Sequence, residues 1–184
     1  METNYPQKIL GAKNVGQLFN IVKQVVKEYT GLQKMGIQVY LEDIHIYHGH
    51  FIGGYYHYGL NKLSVNKIPL KILIEKNPGF HNFYLFHILL HEYIHAVGFM
   101  DEFKTRKLVY DISRDCFGEQ HLLTHFALNL GKFLPKIFPT SEQVIINKPR
   151  SYASSTMPNF ELDFFEGFDR LIQSQFRNMQ NVFK

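Results

Sequence analysis

Residues 91–95 read His-Glu-Tyr-Ile-His, two imidazoles four positions apart with a carboxylate directly after the first. On a helix such residues share a face, so His91 and His95 can reach one ion from the same side. Zinc accepts histidine nitrogens at tetrahedral positions and, in catalytic sites, keeps one position for water. Glu92 would stand beside that water as general base, while the metal lowers the water's pKa and polarises a carbonyl. Peptide hydrolysis is the reaction that suits this arrangement. The flanking Ile88, Leu89, Leu90, Ala96 and Val97 make the helix apolar on most sides. Unpartnered buried polar groups cost on the order of several kcal/mol, and a metal would supply the missing partner. The bland alternative is a crowded core helix whose polar groups are satisfied by their neighbours.

The longer stretch "HEYIHAVGFMD", residues 91–101, resembles the extended HExxHxxGxx(H/D) signature of the metzincin clan of zinc metallopeptidases. His91, Glu92, His95, Gly98 and Asp101 fall on the matching positions. The resemblance implies a zincin-like fold, a bound Zn2+, and Asp101 as third ligand, reached because the chain turns back at the glycine. A helix continuing unbroken would carry residue 101 about 9 Å beyond His95, out of coordinating reach. A glycine can take the left-handed conformation that ends the helix. The clan also carries a methionine turn beneath the metal, and Met157 in "SYASSTMPNFELDFFEGF" resembles it, with Tyr152 a candidate for assisting an oxyanion. The resemblance is specific over residues 91–101 and one of element order elsewhere.

Asp101 has a second reading, since "MDEFK" looks like a helix N-cap followed by an acid in the first turn. A capping Asp101 would leave the third ligand to be found downstream. His121 and His125, four apart in "HLLTH", are candidates, as are Asp111 and Asp115 on the preceding helix. His87 lies one turn before His91, but three ligands along one straight helix would span about 12 Å, too far for bonds near 2 Å. His87 therefore reads as a core or outer-ring residue. His45, His48, His50 and His57 read as turn and surface residues of a hairpin, with a cleft lining or a second metal as the alternative.

The elements that must position these residues follow from periodicity. Leu18, Ile21, Val22, Val25 and Val26 predict a helix over 14–32, with Asn14 as N-cap and Gly31 as stop. Residues 36–47 alternate as a strand, 48–60 as a turn and second strand, and 68–79 as a third short strand closed by Asn-Pro-Gly. A strand at 70–75 would then border the cleft and pair with extended substrate. Helices are expected at about 81–97, 101–118, 121–134 and 160–176. The fold class is α+β, one zincin-like domain over 1–184. Its N-terminal lobe (about 1–98) has a small mixed sheet, and its C-terminal lobe (about 99–184) is mostly helical, with the central active-site helix between them.

Composition narrows the function classes. With 45% hydrophobic residues and 17 Phe, the chain can bury a core and is not of the disordered class. The start lacks the layout of a secretory signal, and no apolar run is long enough to span a bilayer. A lone Cys116 excludes an internal disulfide, so a cytoplasmic, reducing compartment is expected. The formal charge of +4 is dispersed, compatible with nucleic acid but not demanding it. The expected function is a zinc metallopeptidase acting on a peptide or protein substrate. Its rivals are a non-catalytic zinc protein with a closed coordination shell and a peptidase acting on DNA-bound proteins, whose binding would fall with salt.

Overall fold

Helices in this chain begin and end where their free backbone groups find partners. The structure, a computed structural model, describes residues 4–44, 52–76 and 78–137. Asn4 opens α1 (Tyr5–Gly11) by accepting the Gln7 N–H, with Pro6 in the first turn, where no N–H is needed. Asn14 opens α2 (Val15–Thr30) through the Gln17 N–H at 2.9 Å, and Gly31 closes it in the left-handed conformation. Both ends of α2 fall where its sequence predicts, whereas α1 carries no periodicity long enough to announce it.

Three short strands follow, β1 (Gln38–Glu42), β2 (Gly54–His57) and β3 (Lys62–Asn66), and then α3 (Lys67–Lys76), α4 (Pro78–Ala96), α5 (Glu102–Phe117) and α6 (Leu122–Ile137). The described residues thus form a mixed α and β fold of six helices and one small sheet. The sheet is mixed, in the order β1-β3-β2, with β3 parallel to β1 and antiparallel to β2. As middle strand, β3 is buried on both faces, at Leu63, Ser64, Val65 and Asn66. The buried Asn66 amide donates to the carbonyls of Ile44 and Ile52, at 2.9 and 3.0 Å, and so ties both to the sheet.

The expected strand at 68–79, and with it the cleft-bordering strand at 70–75, is a helix instead. Leu70 and Leu73, three apart, turn inward while Lys71 and Glu75 face out, a helical spacing. Pro69 lies in the first turn of α3, where its missing N–H costs nothing. A short run of Ile and Leu suits either state, and here its contact with α4 decides for helix. The third strand is the preceding "KLSVN". Tyr152, Met157, the expected helix at 160–176, and His45, His48 and His50 lie outside the described residues.

At the centre is α4, packed against α1, α2, α3, α5, α6, β2 and β3. Phe83, Tyr84, Leu85, Phe86, Ile88, Leu89, Leu90, Tyr93 and Ile94 are all buried, so it is enclosed on nearly every side. Each such side chain contributes about 1.5–3 kcal/mol relative to exposure. Two polar pins fix its neighbours. The Asn82 amide donates to the carbonyls of Ile9 and Ala12, and the Tyr93 hydroxyl accepts from the Lys34 N–H and donates to the Lys34 carbonyl. Among the described residues no helix is long and apolar enough to cross a membrane.

The first turn of β2 against α4 requires glycine. A Cβ on Gly54 would lie 2.8 Å from the Ser64 carbonyl oxygen and 2.8 Å from Ile88 Cγ2. One on Gly53 would meet Ile88 Cδ1 at 2.6 Å, the end of a side chain that can rotate away. Gly54→Ala is therefore expected to cost about 1–3 kcal/mol in urea unfolding, and Gly53→Ala clearly less. Equal losses would contradict this packing.

Candidate metal centre

The last turn of α4 carries His91 and His95 on one face, with their Nε2 atoms 3.2 Å apart. After it the chain reverses. The Phe99 N–H bonds back to the Ile94 carbonyl and the Gly98 N–H to the His95 carbonyl, a Schellman end in which Gly98 sits at φ +120. That reversal brings the start of α5 beside the two histidines. Asp101 there is the N-cap, its Oδ1 accepting the Lys104 N–H at 2.8 Å. The carboxylate that reaches the histidines belongs to its neighbour, Glu102. Glu102 Oε2 lies 3.2 Å from His95 Nε2 and 3.4 Å from His91 Nε2.

Of the two readings of Asp101, the N-cap is the one this geometry displays. A helix beginning at this point needs a cap, Asp is among the best, and capping turns the Oδ1 of Asp101 onto the Lys104 N–H. The next residue is then free to point at α4. His91, His95 and Glu102 are the group of three among the described residues whose ligand atoms converge closely enough to hold a metal ion. Tetrahedral bonds of about 2.0–2.1 Å set ligand atoms about 3.3–3.4 Å apart, close to the spacing present here. Two imidazoles and a carboxylate at that separation call for a shared cation or proton between them.

The surroundings orient each ligand. His95 Nδ1 lies 2.7 Å from the Phe99 carbonyl, which can only accept, so Nδ1 carries the proton and Nε2 presents its lone pair to the centre. The Thr105 hydroxyl donates to the same carbonyl at 3.0 Å. Bonding to Glu102 raises the His95 pKa against the lowering effect of burial. Burial alone would raise the Glu102 carboxyl, but bonds from His91, His95 and Arg106 outweigh it and hold it well below the usual carboxylate range. Glu92 lies beside β2, close to Gly54 and within electrostatic reach of His91 and His95. It is buried, and desolvation raises its pKa, against the opposing charges of His91 and His95 and the N–H donated by Tyr56. A buried carboxyl with a raised pKa is a stronger base than a solvated one.

The other sequence candidates are engaged elsewhere. His121 Nδ1 accepts the Leu123 N–H at 3.2 Å at the start of α6, and its ring stacks on Phe117. His125 is buried within α6 and does not join the group of three. Asp111 is held by Lys107 and Arg114, and Asp115 by Tyr29 and Arg114. His57 Nε2 lies 3.1 Å from Ser64 Oγ within the sheet. His87 is a core residue, its ring edge-on to Phe126 and its Nδ1 without a hydrogen-bond partner. Glu102 was the residue that sequence reasoning missed. Its available signal was the Asp-Glu pair itself, in which only one acid can cap.

Two outcomes follow. Asp101→Ala should lose about 1 kcal/mol of stability and keep its affinity in a zinc titration, whereas Glu102→Ala should lose most of that affinity. The reverse pattern would restore Asp101 as ligand. Separately, burial lowers His87 to about 3 and His121 to about 4 from an ordinary 6.5. The unfolded chain therefore takes up these protons first. Stability is complete above pH 6.5 and falls below it, by about 1.4 kcal/mol per pH unit for each group until its folded pKa is reached. Metal-free protein melted across this range should show the slope, and His87→Phe should reduce it; an unchanged slope would place His87 in contact with water.

No protein-family model, curated protein or solved structure matches this chain, so the reading of the site rests on its own geometry.

Proposed function

We propose that the chain is a zinc-dependent metallopeptidase of zincin-like architecture, with zinc held by His91, His95 and Glu102. The observation that carries this reading is the convergence of three ligand atoms 3.2–3.4 Å apart on a helix that also bears a buried Glu92. Bound there, zinc would acidify a water molecule and polarise the scissile carbonyl. Glu92 would serve as the proton carrier of the site, accepting a proton from water and giving it to the leaving amine. Its desolvation favours the first transfer, and the Tyr56 N–H keeps the carboxyl in place between transfers. His91 and His95 occupy the α4 side of the centre and Glu102 the α5 side, which is half-exposed.

The strand beside this machinery is β2. Among the described residues it is an edge strand, and its Tyr56 backbone bonds to Glu92. An extended peptide laid along that edge would add a strand and bring its carbonyl to the base, a role earlier assigned by order to residues 70–75. The Cys116 thiol is pushed up to about 11, chiefly by burial, and so is not a competing nucleophile. A reducing, cytoplasmic compartment is consistent with that free thiol.

The test is Glu92→Gln alongside the wild type, with zinc content and cleavage of an unfolded protein substrate measured together. The variant should retain zinc and lose about 10²–10⁴-fold in cleavage rate. A wild type that holds zinc and cleaves nothing, with Glu92→Gln unchanged in every respect, would support a non-catalytic zinc protein instead.

A further inference from the structure

Glu102 is bound from two sides by different partners. Oε2 faces His91 and His95, while Oε1 accepts from Arg106 Nε at 2.6 Å, one turn further along α5. Arg106 is largely exposed, and an exposed pair at this spacing contributes little to stability. What it does fix is geometry. A carboxylate has two equivalent oxygens, and a free one can take a metal through both. With Oε1 engaged by a planar, permanently charged guanidinium, only Oε2 is left to face the histidines.

We propose that Arg106 is a positioning residue that restricts Glu102 to ligation through one oxygen, so that an ion on His91, His95 and Glu102 keeps a coordination position open for water. The proposal rests on the metal-centre reading above and extends it to a residue that touches no ion itself. Such an outer partner orients its ligand and raises affinity, and an open position is what separates a catalytic site from a closed one. Arg106 is better suited to this than lysine, whose ammonium is a point charge on a flexible stem and cannot fix the carboxylate plane.

The experiment uses the full chain as wild type, Arg106→Lys and Arg106→Gln, titrated with cobalt(II) alone and read by visible absorption. Zinc affinity is measured in parallel by competition with a chromophoric chelator, and melting of the metal-free proteins reports folding. The expected result is equal melting of all three metal-free proteins. Arg106→Gln should bind zinc about 10–100-fold more weakly, with visible cobalt bands that fade as the carboxylate takes the ion through both oxygens. Arg106→Lys should fall between the two. Wild-type cobalt spectrum and affinity in Arg106→Gln would overturn the positioning role while leaving the centre standing. A wild type that takes up neither cobalt nor zinc would overturn the centre itself, and this proposal with it.

Discussion

The enclosure of α4 is the constraint on which the rest depends. Its residues 83–94 are buried almost without interruption, so the sheet and the other five described helices are arranged to cover it. A helix so placed excludes water from most of its surface and strengthens every electrostatic interaction on it. Several of the polar groups it carries are satisfied locally, whereas the buried Tyr84 hydroxyl and His87 Nδ1 have no hydrogen-bond partner. Tyr93 is satisfied by the Lys34 backbone, Asn82 by the end of α1, and Glu92 by Tyr56. His91 and His95 are met by α5 instead, and only because α4 ends where it does.

That ending joins fold to chemistry. Gly98 in its left-handed conformation closes α4 within one turn of His95, and Asp101 then opens α5. With only a few residues between the helices, the first turn of α5 must lie against the last turn of α4. The same Phe99 carbonyl that belongs to this turn fixes the proton on His95 Nδ1. Backbone reversal, histidine orientation and the approach of Glu102 are thus three consequences of one tight connection. The opposite side of α4 shows the same economy. Gly53 and Gly54 allow β2 to approach Ile88 and Glu92 more closely than a side chain would permit.

Much of this was legible in the sequence where a local rule decides. Asn14 and Gly31 bound α2, Gly118 ends α5, and the four-residue spacing of His91 and His95 puts both on one face. The turn at Gly98 also falls at the position its sequence context implies. What was not legible depended on competition. Residues 68–76 are apolar enough for strand or helix, and tertiary contact with α4 settles the choice. Asp101 and Glu102 are adjacent acids, and either could have faced the histidines until the demand for a cap removed one of them. Spacing records which residues are near in the chain, but not which side chain has already been spent.

The central proposal is that two histidines and a single carboxylate oxygen would hold one zinc ion with room left for water. X-ray absorption at the zinc edge, on protein loaded with one equivalent, tests it most directly. The account predicts a shell of nitrogen and oxygen at about 2.0–2.1 Å with the outer scattering of two imidazoles and no sulfur. A third imidazole, a sulfur ligand, or zinc that washes away from the folded wild type would contradict it.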